Sequence, residues 1–170
     1  MKKKLFLVFV LCYFFNVCSN AKETPSENCL AIVGTFSNLV HIKDVFVYLY
    51  NDSVIIDSAK VNSTKDFGFM LECNKQYSLH ILAGGYYSRL IKINTIVPAN
   101  VNTSPVFIFE FEVELLKVTK GVDDFFMDFP IALISYEAKI EKFTFSKKYT
   151  DFIQKELKKI ESQFKVRKSR

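Results

Sequence analysis

The stretch from Asp44 to Ala83 restricts this chain more than any other. It reads DVFVYLYND, SVIIDSAKVN, STKDFGFMLECN and KQYSLHILA in succession. Short runs rich in β-branched and aromatic residues, broken by polar turn signals about every ten residues, are the pattern of an antiparallel sandwich or barrel. In the first run Val45, Val47 and Leu49 fall on one face, and Phe46, Tyr48 and Tyr50 on the other. In the third, Phe67, Phe69 and Leu71 share a face. In the fourth, Tyr77, Leu79 and Ile81 alternate with Ser78 and His80. Successive strand side chains point to opposite faces, so one set can form a buried layer. Val54 to Val61 alternates less cleanly and reads as a peripheral strand.

The flanking segments extend the pattern. Leu30 to Phe36 reads as the first strand. Gly84 and Gly85 make a sharp turn before Tyr86 and Tyr87, because glycine reaches positive φ at little cost. Residues 89–95 alternate again, and Ile96 to Pro105 is a loop by composition. Val106 to Leu115 carries the cleanest strand signal: Phe107, Phe109, Phe111, Val113 and Leu115 face one way, and Glu110, Glu112 and Glu114 the other. That is one dry and one wet face, and exposed glutamates on a strand discourage edge-to-edge pairing. After a loop from Gly121 to Pro130, Ile131 to Tyr136 and Lys142 to Phe145 read as a hairpin. From Lys147 the period changes: Tyr149, Phe152, Ile153, Leu157, Ile160 and Phe164 recur at three- and four-residue steps, predicting an amphipathic helix with Ser146 as N-cap. Its polar side mixes charge signs, which favours packing over a membrane surface.

Residues 1–21 have the layout of a secretory signal peptide: Lys2 to Lys4, an apolar run from Leu5 to Phe15, then Ser19 and Ala21 before a cut. An uncleaved anchor and a lipoprotein acylated on Cys18 are the alternatives. All three place the protein outside the cytoplasm, in the periplasm or at the cell surface. Residues 22–28 read as a polar linker. Of the 4 cysteines, Cys12 and Cys18 lie in the export segment, leaving Cys29 and Cys73. Two thiols in an oxidising compartment suggest one disulfide, with an entropic gain of ~3–4 kcal/mol for so long a loop; two unpaired, partly buried thiols are the alternative.

The charge pattern excludes one class of partner. The formal charge is +5, and without Lys2, Lys3 and Lys4 it is +2. Lys165, Arg167, Lys168 and Arg170 crowd into the last six residues, so the body is nearly balanced, and no nucleic-acid surface is indicated. The chain has no Cys-x-x-Cys pair, no His-x-x-x-His spacing, no nucleophile elbow and no phosphate-cradling glycine loop. Asp123, Asp124 and Asp128 form a weak Ca²⁺ candidate, but Phe and Met fill the neighbouring ligand positions, so a surface loop anchored by Phe125, Phe126 and Phe129 is the simpler reading. His80 reads as a solvated strand residue. An enzyme would need His80 or Asp123 and Asp124 in a cleft with a displaced pKa. No cofactor is expected.

From Leu30 to Leu115 the order of features resembles a carboxypeptidase regulatory-like domain, a transthyretin-like sandwich close to the collagen-adhesin B-type repeat. The pieces that carry the resemblance are LAIVGTF, DVFVYLYNDSVIIDSAKVN, STKDFGFML and YSLHILAGGYYSRLIKI. It implies a mainly β fold, a transthyretin-like antiparallel sandwich over 29–117; beyond it, composition and period give a loop and β-hairpin extension over 118–146, an amphipathic helix over 147–165 and a basic tail over 166–170. It also implies an exported, non-enzymatic module of a Gram-negative cell envelope. Such a module would bind an envelope protein or a cell-wall component through a sheet edge or through Tyr86, Tyr87, Phe125 and Phe126. An accessory protein holding a sugar or peptide between sandwich and helix is the second expectation.

Overall fold

The computed structural model describes residues 27–37, 42, 44–62, 66–118 and 129–168. The alternating runs pair as strands: β1 (Asn28–Phe36), β2 (Val45–Asn51), β3 (Val54–Val61), β4 (Asp66–Glu72), β5 (Gln76–Leu82), β6 (Arg89–Asn94), β7 (Phe107–Val113), β8 (Ala132–Glu137) and β9 (Lys142–Phe145). One helix, α1 (Lys147–Lys168), follows. The strands form a 3-stranded sheet in the order β4-β1-β7 and a 6-stranded sheet in the order β3-β2-β5-β6-β8-β9. Among the described residues the fold is therefore mainly β, a sandwich with one helix. Asp52 (φ 52°) and Asn74 (φ 60°) take the left-handed conformation in the β2–β3 and β4–β5 turns, which short polar side chains tolerate.

Two pairings differ from the antiparallel expectation. β1 runs parallel to β7, and β6 runs parallel to β8. The turn spacing fixes how sequence neighbours pair, and those pairs are antiparallel. β7 and β8 instead follow long connections, and a long connection can return a strand in either direction. The β8–β9 hairpin is accordingly part of the larger sheet rather than an appendage to it. The linker expectation ends one residue late, since Asn28 already pairs with Glu72.

The core lies between the inner faces. Leu30, Ile32 and Phe36 of β1, Phe67, Phe69 and Leu71 of β4, and Phe111 and Val113 of β7 meet Val45, Val47, Leu49, Leu79, Ile81, Ile91, Ile93 and Ile134 across the sandwich. Phe67 is its centre, with ring centroids 5.4 Å from Phe36, 6.2 Å from Phe69 and 5.9 Å from Phe111. The ring fits because its cross-strand neighbour is Gly34. A Cβ added at Gly34 would lie 2.1 Å from the Phe67 ring.

The helix packs by a narrower stripe than its period predicts. Ile153 is fully buried, and the Tyr149 hydroxyl donates to the Pro130 carbonyl at 2.7 Å. Phe152, counted in the apolar stripe, is 52% exposed. Adjacent helical positions lie 100° apart, so Phe152 and Ile153 cannot both face the sheet. The helix also continues through Lys168, past the expected boundary at Lys165.

Two substitutions test this packing. Gly34→Ala is expected to destabilise the fold by ~1–3 kcal/mol through overpacking against Phe67. Ile153→Ala is expected to cost ~2–5 kcal/mol by opening a cavity under the helix. Urea unfolding followed by circular dichroism measures both; a Gly34→Ala midpoint equal to the native one would show that the ring has room to move.

Candidate functional site

The inward set of β2 decides where its other side chains go. Val45, Val47 and Leu49 are buried, so Phe46, Tyr48 and Tyr50 stand in a row on the outer face of the larger sheet. The Phe46 and Tyr48 rings are nearly parallel, with centroids 6.3 Å apart and planes 13° from each other. Tyr50 leans on the His80 imidazole of the next strand, centroid to centroid 4.4 Å. At the other end Lys60 Nζ sits 5.3 Å over the Phe46 ring and pairs with Asp44 at 2.7 Å, which holds the lysine against the ring face. Phe46 and Leu82, opposite each other in the ladder, are 37% and 43% exposed.

Polar side chains continue the same face. The register places Ser78 opposite Tyr50, Lys92 opposite Ser78, and Ser135 opposite Asn94. Lys92, Asn94, Ser135, Asp52, Gln76 and the buried Ser78 line a shallow depression of about 400 Å³. The Asn94 amide is fixed, since its Oδ1 accepts the Ile96 N–H at 2.9 Å, and Asn51 Nδ2 donates to the Gln76 carbonyl at 3.0 Å. A row of ring faces thus adjoins hydroxyl, amide and ammonium groups. His80, expected to be solvated, is half-buried under Tyr50; burial, and after it the positive charge of Lys92, lower its pKa below the usual 6.5.

A second concavity lies between the sandwich and α1. Its volume is about 610 Å³, and Ile91, Phe111, Phe145, Ile153 and Leu157 form apolar walls beside Arg89 and Lys158. Arg89 is 4% exposed and its Nε donates to the Glu114 carbonyl at 3.2 Å. Thr150 Oγ1, on the same wall, is buried with no hydrogen-bond partner among the described residues. At the free edge of the larger sheet, β3 exposes Val54, Ile55 and Ile56.

The aromatics predicted as partner contacts lie elsewhere. Tyr87 is 9% exposed and Tyr86 packs against the core. The Gly84-Gly85 turn folds this segment back onto 115–118: Tyr87 N–H donates to Leu116 O at 2.9 Å, and Val118 N–H to Gly85 O at 2.9 Å. Tyr87 is therefore corrected from a surface anchor to a support of that turn, and Tyr86 is partly buried beside it. Phe125, Phe126, Asp123, Asp124, Asp128 and Cys18 lie outside the described residues. Among the described residues no cluster of three or more His, Cys, Asp or Glu side chains is placed to hold a metal. Cys29 and Cys73 are free thiols. The row Phe46, Tyr48, Tyr50 is not among the expected contacts, although the alternation of β2 separates it from the core.

No protein-family model matches the chain. No curated protein matches it. Among solved structures it is similar to two variants of catechol 1,2-dioxygenase from Acinetobacter radioresistens, each at 10% identity and a TM-score of 0.37. The alignment covers 62% of this chain and spans 57% of the dioxygenase chain.

The displaced His80 pKa gives a pH dependence with a definite sign. The unfolded chain takes up a proton near pH 6.5, and the folded chain does so only at lower pH. Stability from this group is full above about 6.5 and declines as pH falls toward the folded pKa. Stability, measured by unfolding from pH 7.5 down to 5, should therefore decline more steeply in the native protein than in His80→Gln. Parallel pH profiles would remove His80 as the cause.

Proposed function

We propose that the chain is an exported, non-enzymatic module of the bacterial cell envelope that binds a cell-wall glycan on the outer face of its larger sheet. The row Phe46, Tyr48 and Tyr50 is the observation that carries this reading. Pyranose rings present an apolar C–H face and an equatorial belt of hydroxyls. An aromatic row receives the first by stacking, and the depression lined by Lys92, Asn94 and Ser135 supplies donors and acceptors for the second. Tyrosine suits the task because its ring offers area at low conformational cost while its hydroxyl stays wet. The signal-like residues 1–21 and the resemblance to regulatory-like sandwich domains support a place outside the cytoplasm. The balanced charge of the body supports a neutral rather than a polyanionic ligand.

A second reading is a small sugar or peptide held between sandwich and helix. The unpartnered Thr150 Oγ1 favours it.

One experiment separates the two. Purified protein is titrated with peptidoglycan fragments and with soluble β-linked glucan and chitin oligosaccharides, by calorimetry and by co-sedimentation with sacculi. Tyr48→Ala and Tyr50→Ala should each weaken binding roughly tenfold or more, about 1.4 kcal/mol, while Phe152→Ala, on the exposed helix flank, leaves it unchanged. Binding lost in Thr150→Val but intact in both tyrosine variants would move the site to the groove. Glycans that bind none of these proteins would end the proposal.

A further inference from the structure

The other chemistry held by the fold is a pair of thiols. Cys29 lies where the β1–β4 ladder slips: Asn28 pairs with Glu72 and Leu30 with Leu71, so Cys29 is the extra residue of a bulge. A bulge re-aims side chains, and here both Cys29 and Leu30 turn into the core. Cys73 follows Glu72 directly, and its N–H donates to the Glu27 carbonyl at 2.9 Å, which holds it beside the entry to β1. Thr95 clamps the turn that carries it: Thr95 Oγ1 is 2.7 Å from Glu72 O and accepts the Lys75 N–H at 2.9 Å. The two cysteines meet at the Thr95 carbonyl: Cys29 Sγ lies 3.9 Å from it, and the N–H of Asn74, next to Cys73, donates to it at 3.1 Å.

Their environments differ. Cys29 has no exposed surface, whereas Cys73 is half-buried. Burial first, then the hydrogen bond and charge of Cys73, push the Cys29 thiol up to about 12. Since the thiolate is the nucleophile, Cys29 is protected from external reagents by access and by protonation alike.

We propose that Cys29 and Cys73 are a reactive dithiol that a disulfide-bearing oxidant closes to a disulfide, with Cys73 as the point of entry and Cys29 as the resolving group. In the first step the Cys73 thiolate attacks one sulfur of the oxidant. The oxidant's S–S bond breaks and one thiolate leaves with the electron pair. In the second step Cys29 loses its proton to solvent and attacks the Cys73 sulfur of the mixed disulfide, expelling the second thiolate. Two thiols become one disulfide, and their two protons and two electrons end on the oxidant, which leaves as two thiols. The product ties the start of β1 to the β4–β5 turn. This device is independent of any glycan bound on the outer sheet face.

The test uses the folded full chain with glutathione disulfide as oxidant. Samples are quenched by alkylation over time, and every cysteine is followed by peptide mapping. The native protein should pass through a transient glutathione adduct on Cys73 to a Cys29–Cys73 peptide about two daltons lighter than the dithiol. Closure should accelerate as pH rises, because Cys29 must deprotonate. Cys29→Ala should accumulate a stable Cys73 adduct, and folded Cys73→Ala should take no adduct at Cys29. A first adduct on Cys29, a Cys73 adduct that never closes in the native chain, or thiols that stay unreacted in the folded protein would overturn the proposal. If Cys29→Ala fails to fold, the native time course decides alone.

Discussion

The inner face of β2 holds the rest of the structure in register. β2 is bonded on both sides, to β3 and to β5, and Val45, Val47 and Leu49 reach the core between them. Because side chains alternate with a period of two, a slip of one residue would send Phe46, Tyr48 and Tyr50 inward and the aliphatic set outward. Two phenol hydroxyls would then enter an apolar layer already filled by Ile32, Leu79 and Phe67. Burial of small β-branched and aliphatic groups on one side therefore fixes an aromatic row on the other. Core and candidate site are two consequences of one alternation.

The sheets are unequal, and that explains the C-terminal third. At about 4.8 Å per strand, the larger sheet is roughly twice as wide as its partner. Its inner face beyond β7 needs another cover. Phe107 supplies part of it, packing edge-on against Tyr136 at 5.7 Å and Phe143 at 5.5 Å. Helix α1 supplies more, with Ile153 buried beside Ile91 and Ala132. The β8–β9 hairpin widens the sheet and the helix continues the thinner layer beside β7. The cover is incomplete, which is why a groove remains between sandwich and helix.

How much of this was legible in the sequence follows from what each signal measures. The strands of the Asp44–Ala83 stretch, the glutamate face of β7 and the switch from period two to the helical period are local, and all three stand in the structure where the pattern puts them. The edge position of β3 was also legible, because a strand with one covered side need not alternate cleanly. The parallel pairings were not, since they depend on how long connections cross between sheets. Two tyrosines after two glycines look like a displayed turn, whereas Tyr87 is buried by the fold-back onto 115–118, a tertiary contact. Phe152 was misplaced because a stripe drawn wide enough to include it is wider than the sheet the helix meets.

The candidate site shows the same limit from the other side. Alternation separates Phe46, Tyr48 and Tyr50 from the core but cannot say what surrounds them. The surroundings come from registry: β5 brings Ser78 and His80 beside the rings, and β6 brings Lys92 and Asn94 one strand further. Each of these polar residues is unremarkable in its own strand. Only the β2-β5-β6-β8 order turns them into one surface. The lowered pKa of His80 belongs to that assembly too, since its causes are the aromatic cover and a lysine two strands from β2. An uncharged imidazole, tyrosine hydroxyls and serine and asparagine side chains can each act as neutral hydrogen-bonding groups near neutral pH. That makes the surface suited to a hydroxyl-rich neutral ligand and poorly suited to a polyanion, which would ask for clustered cations instead.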